Sequence, residues 1–371
     1  MAGDLIQIRR WLMPLSWLFG VGVDIRNALF DRGVLRSVSY DIPIVSIGNI
    51  TVGGTGKTPH VEYLIRLLSE RYKVAVLSRG YKRRTSGFLL SSINSTMEEI
   101  GDEPWQIKQK FPKTYVAVDA NRRRGIEHLL TDEATKDVEV ILLDDAYQHR
   151  YVKPGYNILL VDYHRIISDD CLLPAGCLRE RASASLRATT VIVTKCPQHI
   201  TPMDFRVIHS ALKIKPYQHL FFSTLSYGTL HQLWGNGVLH PDGLREAGTH
   251  VLLLTGIASP WQMEADVRRY VQHVAPLTFP DHHYYTERDA ETIQQALLAL
   301  PKPRIMLTTE KDAARLRLLK GLCEEVRKNT YVLPTQISIM REEKDDFDKT
   351  IIDYVRETKR NSSVAPRKDA E

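Results

Sequence analysis

Thr51-Val52-Gly53-Gly54-Thr55-Gly56-Lys57-Thr58 has the residue types of a phosphate cradle. Small residues let successive backbone N–H groups turn toward one anion at the positive end of a helix. Lys57 can reach the outer phosphates as a mobile point charge, and the Thr58 hydroxyl can hold Mg²⁺. The strict P-loop is G-x-x-x-x-G-K-[ST], and Thr51 stands where its first glycine would be. Gly53, Gly54 and Gly56 still allow close backbone approach, so the physics survives the departure. An ordinary glycine-rich turn is the alternative, but Gly-Lys-Thr between a strand and a helix rarely arises by accident. Downstream, the apolar run VEVILL ends in Asp144-Asp145-Ala146-Tyr147-Gln148-His149. A carboxylate directly after a buried strand, beyond a P-loop, is the Walker B arrangement for Mg²⁺. Asp144 and Asp145 would share metal binding and water positioning; a charge at a helix N-terminus is the alternative for the second. Gln148 and His149 would line the same cleft.

Other stretches carry groups of chemical interest. Ser78-Arg79-Gly80-Tyr81-Lys82-Arg83-Arg84 is a basic loop with an aromatic in it. No other stretch repeats that interleaving, so Arg79 and Tyr81 suit a small anionic substrate better than nucleic acid. Asp102, in Gly101-Asp102-Glu103-Pro104, reads by itself as a helix N-cap. Arg179 and Glu180 close a loop, Leu173 to Glu180, and would contact nucleotide or metal, or form an exposed ion pair. His282 and His283 adjoin Asp281 in a loop, which is harder to explain structurally than one isolated histidine.

These groups need a scaffold. Ile42, Ile44, Val45 and Ile47 run into the glycine loop as a strand, and Val61, Leu64, Ile65 and Leu68 recur beyond it at helical spacing. Short apolar runs at 74–77, 115–118, 138–143, 157–161 and 190–194 alternate with helical patterns. That rhythm predicts a doubly wound α/β sheet, with the loops after its strands lining a ligand crevice. The stretch 220–237 changes character and reads as a β-ribbon. Beyond it, a strand at 250–254, helices near 260–271 and 287–298, and a strand at 305–307 predict a second α/β lobe. The expected divisions are an N-terminal helical segment 1–36, a P-loop domain 37–215, a ribbon 216–240, a second lobe 241–358 and a structureless tail 359–371.

The chain has 371 residues, 43% hydrophobic and 25% charged, with formal net charge +6. That is an ordinary globular composition with a bias toward anionic partners. Four cysteines without a C-x-x-C pair speak against a zinc site and a disulfide framework, and for a reducing compartment. The run from Trp11 to Val23 is uncharged but only thirteen residues long, short for a membrane span. Three readings stay open: a helix lying in a membrane surface on Trp11, Leu12, Leu15, Leu18 and Phe19 with flanking arginines on anionic head groups, a helix packed on the protein's own core, or a signal peptide.

The ordered set GNITVGGTGKTP, SRGYKR, GDEP, LDDAYQH, LPAGCLRE, VTK and FPDHHYY resembles the tetraacyldisaccharide 4′-kinase family, which makes lipid A. The family's loop has the form [ST]-x-G-G-[ST]-G-K-T, so Thr51 fits it; Ala146 and Tyr147 stand where Gly and Phe are common. The resemblance implies γ-phosphoryl transfer from ATP, with Mg²⁺, to the 4′-hydroxyl of a tetraacylated disaccharide 1-phosphate. It implies two P-loop-like α/β lobes joined by a ribbon and an N-terminal helix on the cytoplasmic face of an inner membrane, in a monomer that binds no nucleic acid. It also turns Asp102 from a cap into the general base, with His282, or else His283, as its partner. Asn49, Arg79, Tyr81, Gln148 and His149 fall on the substrate side. Thr51 to Thr58, Arg179 and Glu180 fall on the nucleotide side, with Thr58, Asp144 and Asp145 at the metal. A GTPase or ATPase switch or a metallochaperone is the competing class. It would need a guanine-reading N-K-x-D, and Thr194-Lys195-Cys196 lacks that aspartate. A nucleic-acid-dependent ATPase would need a basic stripe beyond the loops named.

Overall fold

The computed structural model describes residues 8–257, 260–281 and 283–364. The chain divides into two units, one holding residues up to Leu225 and from Ile337 on, the other Ser226–Gln336.

The first unit is built on strands β1 (Ile44–Gly48), β2 (Val74–Ser78), β3 (Leu89–Leu90), β4 (Tyr115–Val118), β5 (Val140–Asp144), β6 (Tyr156–Asp162), β7 (Thr190–Thr194) and β8 (His219–Tyr227). Their order is β8-β7-β6-β1-β5-β2-β4-β3. All neighbours pair parallel except the edge strand β3. β1, β2, β5 and β7 are buried at every residue, as strands covered on both faces must be. The expected α/β architecture is therefore present. β8 differs from expectation: the first part of the supposed ribbon, up to Tyr227, extends the first sheet, because Phe221 and Phe222 bury into the two cores on its opposite faces.

The helices of this unit are α1 (Met13–Asp31), α2 (Lys57–Ser69), α3 (Met97–Ile100), α4 (Asp102–Lys110), α5 (Arg122–Thr131) and α6 (Pro202–Leu212). Pro59 is the third residue of α2, where its missing N–H costs no hydrogen bond. Residues 182–187 form a 3₁₀ turn.

The second unit holds strands β9 (Leu230–Gln232), β10 (Val238–Leu239), β11 (His250–Thr255), β12 (His273–Thr278), β13 (Arg304–Thr309) and β14 (Thr330–Leu333), in the order β10-β9-β14-β13-β11-β12. Its helices are α7 (Pro241–Glu246), α8 (Pro260–Tyr270), α9 (Glu287–Leu298), α10 (Glu310–Leu316) and α11 (Glu324–Lys328). β15 (Thr335–Ile339) then joins the first sheet beside β8, and α12 (Lys344–Val364) follows. The sequence reading carried the second lobe to 358 and began a structureless tail at 359. Instead, Phe347, Ile351 and Val355 bury in the core of the first unit beside Ile47, Leu64 and Ile158, and the helix runs on to Val364. Residues 365–371 lie outside the described set.

α1 packs one narrow face. Ser16 Oγ donates to Leu172 O at 3.0 Å and accepts from Ala175 N at 2.8 Å. A Cβ on Gly20 would come within 2.8 Å of the Leu172 side chain. Leu12 is buried, as in the core-packed reading and unlike its place in the membrane-surface one. Trp11, Leu15, Trp17, Leu18 and Phe19 are exposed, Trp11 by 78%. No helix among the described residues is long and apolar enough to cross a membrane.

Candidate active site

The glycine loop leaves the carboxyl end of β1, in the middle of the sheet, where open α/β sheets bind ligands. Gly53 (φ 106°) and Gly56 (φ 79°) take left-handed conformations that let the loop curl. Arg179 N donates to Ile50 O at 2.7 Å and Val52 N to Cys177 O at 2.8 Å. The loop ending in Arg179 and Glu180 is thus stitched to the glycine loop. Asn49, placed by the sequence reading on the substrate side, is fully buried inside it. Its Nδ2 donates to Thr55 Oγ1 at 2.9 Å, and its own carbonyl accepts from Gln148 Nε2.

β5 delivers the two acidic residues beside this loop. Asp144 is buried and accepts a hydrogen bond from Ser78 Oγ at 3.1 Å. Burial, then the neighbouring carboxylates Glu103 and Asp145, push its pKa up to about 7, against the pull of Lys57 and Ser78. Asp145 sits in the left-handed region (φ 46°), a strained conformation for a residue other than glycine. It lies 3.8 Å from Lys57 Nζ and 3.6 Å from Arg179 Nη1. Two clustered carboxylates, one with its pKa raised chiefly by burial, and the Thr58 hydroxyl offer oxygen donors that suit a hard divalent cation.

The remaining candidates of the first unit lie around this centre. Gly101 is the N-cap of α4, so Asp102 opens the helix instead of capping it. α4 is tied to α2: Glu62 accepts from Lys110 Nζ at 2.6 Å and Gln106 Nε2 at 3.1 Å. A Cβ on Gly101 would come within 2.9 Å of Tyr81 O, so this glycine lets the basic loop pack on the Asp102 turn. Arg79 and Tyr81 are exposed. Burial and the charge of Arg122 hold His149 down at about 4, so this imidazole is neutral. Arg179 Nη1 also reaches Gln148 Oε1 at 3.4 Å. Glu180 is buried and accepts from Arg187 Nη2 at 2.7 Å and Asn27 Nδ2 at 3.4 Å, which links this loop to α1.

In the second unit, His282 lies outside the described residues. His283 Nε2 is 3.0 Å from Asp289 Oδ2, in the first turn of α9, and its ring stacks on Phe279. The loop is gripped on either side of the histidines, with Lys311 Nζ 3.3 Å from Asp281 and Tyr285 Oη donating to Asp312 at 3.2 Å. Asp312 is fully buried and also accepts from Gly256 N at 2.8 Å.

Sequence reasoning missed several residues that shape these sites. Arg122 is buried and donates to Asp119 O at 2.8 Å and Asp144 O at 3.1 Å. It pins the end of β5 from beneath the acidic pair. Glu103, His60 and Asp312 were also passed over. Asp312 gave a signal: Thr309 begins α10 as its N-cap, and Asp312 occupies N3.

The model of the tetraacyldisaccharide-1-P 4′-kinase family matches residues 8–356. A tetraacyldisaccharide 4′-kinase from Phocaeicola vulgatus is 51% identical, over 98% of this chain and all of that one. One from Bacteroides thetaiotaomicron is 48% identical over 98% of both. Among solved structures, LpxK from Aquifex aeolicus in complex with ATP superimposes with a TM-score of 0.70 at 28% identity, covering 94% of this chain and 99% of that one. With a family model spanning almost the whole chain and full-length relatives at half identity, the chain belongs to the tetraacyldisaccharide-1-P 4′-kinase family.

Proposed function

We propose that this chain transfers the γ-phosphoryl group of ATP to the 4′-hydroxyl of a tetraacyldisaccharide 1-phosphate. The observation that carries the reading is the convergence of Lys57 and Arg179 on Asp145 at the mouth of the glycine loop. Such transfer needs positioning and charge stabilisation more than covalent chemistry. The backbone amides of residues 53–58 would cradle the phosphates, with Lys57 and Arg179 countering negative charge that builds as the terminal P–O bond breaks. Asp102 would accept the proton of the sugar hydroxyl as the new O–P bond forms, leaving ADP and the 4′-phosphate. Thr58, Asp144 and Asp145 would hold Mg²⁺, which supplies a Lewis acid for the phosphate oxygens. Incubation with labelled ATP, Mg²⁺ and the lipid disaccharide tests the reading, beside a small sugar and single-stranded nucleic acid. Label transfer to the lipid alone is expected. ATP hydrolysis stimulated by nucleic acid, with no label in lipid, overturns it.

The acidic pair makes metal binding pH-dependent. Asp144 must lose its proton to bind a cation, so Mg²⁺ affinity should rise about tenfold between pH 6 and pH 8, the change in ionised fraction for a group near 7. In metal-free protein the sign is opposite. Because the folded pKa lies above the unfolded one, this group favours the fold below the ordinary carboxylate value, and that contribution is lost as pH rises through about 7. Calorimetric Mg²⁺ titration of Asp144→Asn should show weak binding without the pH slope; an unchanged slope would assign it to another group.

The exposed apolar side of α1 and of the turn before it suits the cytoplasmic face of an inner membrane, with Trp11, Leu15, Trp17, Leu18 and Phe19 entering the interface. Exchanging Trp11 and Leu15 for aspartate should move the protein from the membrane fraction to the soluble one while leaving its melting temperature unchanged. An unaltered distribution on fractionation would remove the interfacial role.

A further inference from the structure

The glycine loop presents amides to an anion only if its carbonyls point elsewhere. In a trans peptide the C=O and the following N–H point in opposite directions. Whatever holds a loop carbonyl therefore aims the next amide. Two carbonyls at the business end of this loop are held by side chains. Thr194 Oγ1, at the end of β7, donates to Thr55 O at 3.0 Å. His60 Nδ1 lies 2.7 Å from Gly56 O, and its Nε2 lies 3.0 Å from Ser223 Oγ on β8.

The chemistry of these partners assigns the protons. A carbonyl only accepts, so Nδ1 carries the hydrogen; Nε2 of the neutral ring then accepts from the Ser223 hydroxyl. Burial of His60 favours that neutral ring and holds its pKa down at about 4. The side-chain contact is the shorter of two on Gly56 O, whose helical partner, His60 N, donates at 3.4 Å. Gly56 is itself left-handed (φ 79°), an orientation for which the backbone has no intrinsic preference in glycine. The imidazole therefore joins the first turn of α2 to β8, two strands beyond β6 and on the far side of the loop from the acidic pair.

We propose that His60 is a positioning residue for nucleotide binding: held by Ser223, it fixes the Gly56 carbonyl and so aims the Lys57 N–H at the phosphates. Thr194 does the same for the Gly56 N–H through Thr55 O. The proposal rests on the reading of this loop as a phosphate site. His60 touches neither phosphate nor acceptor, and its contribution is a preformed cradle that needs no reordering when nucleotide arrives.

The two ring nitrogens can be separated experimentally. In His60→Asn the amide nitrogen stands close to the position of Nδ1 and can still donate to Gly56 O. In His60→Gln the amide extends toward Ser223 and leaves Gly56 O without its side-chain donor. Direct ATP binding and steady-state kinetics should be measured on both, with melting temperatures as the fold control. H60Q should weaken ATP Kd and KM about tenfold, the loss of one buried hydrogen bond, with the KM for lipid unchanged. H60N should stay within about threefold of wild type. Wild-type ATP affinity in folded H60Q overturns the proposal, and so does an H60N as weak as H60Q, which would make the role one of ring packing. A wild-type protein that binds no ATP would instead refute the phosphate-site reading itself, so the two failures are distinguishable. Should H60Q not fold, Thr194→Val tests the companion carbonyl with the same ATP-specific readout. Unchanged ATP affinity there overturns the clamp.

Discussion

Lys57→Ala should lower kcat by about 10²–10³ without unfolding the protein, the range for removing one preorganised charge-stabilising donor. Three features of the site support both halves of that expectation. Lys57 opens α2 directly behind the left-handed Gly56, so its side chain emerges where the loop amides converge. Its ion pair with Asp145 is long, at 3.8 Å, and partly exposed, so its loss removes little stability. Asp145 also keeps Arg179 at 3.6 Å, so no carboxylate is left stranded. A second consequence separates the charge from mere volume. Lys57 is one of the groups that lower the Asp144 pKa. Its removal should move the pH midpoint of Mg²⁺ binding upward, whereas Lys57→Arg should leave it near the wild-type position. Measured kcat and a Mg²⁺ titration against pH check both. Wild-type turnover in a folded Lys57→Ala protein would end the P-loop assignment.

Asp102→Ala is expected to cut kcat by about 10²–10⁴, the usual contribution of a positioned proton acceptor, with little change in the KM for ATP. Asp102 opens α4, whose N-cap is Gly101, and α4 is held to α2 by the Glu62–Lys110–Gln106 contacts. A carboxylate on that turn is carried by the same helix pair that carries the glycine loop. If His282 tunes it, His282→Ala should also lower kcat, and the double mutant should be less than additive because the pair acts as one unit. His283→Ala should be milder, because His283 Nε2 is already engaged with Asp289, and Asp289 keeps its capping contacts with Thr286 when the ring is gone. Double-mutant cycles on kcat for Asp102 with each histidine decide the matter. Full additivity in both would make Asp102 a structural residue and pass the base role to Asp145.

The local grammar of the chain carried the fold class and the glycine loop between a strand and a helix. Largely apolar runs at β1, β5 and β7, separated by helical periodicity, specify a doubly wound sheet, because the period of a pattern is a property of neighbours along the chain. Lys57, Thr58, Asp144 and Asp145 were legible for the same reason: each stands at a set distance from the end of a strand. The aromatic face of α1 was legible as apolar, yet which of its residues pack depended on the Leu172–Ala175 loop, 156 residues away from Ser16.

What tertiary structure alone decided are the contacts between residues far apart in sequence. Nothing in the basic run 121–124 marks Arg122, rather than its neighbours, as the one that turns inward beneath Asp144. His60 reads as one more residue of an amphipathic helix until β8 places Ser223 beside it, 163 positions later. α12 has an apolar stripe but no motif, and only the empty face of the first core determines that Phe347, Ile351 and Val355 return there. The chemistry-bearing types and their spacing were written in the sequence because the loops that use them are short and local. The buried polar partners that hold those loops still were not, because a side chain's hydrogen-bond partner is whatever the packed sheet brings within about 3 Å of it.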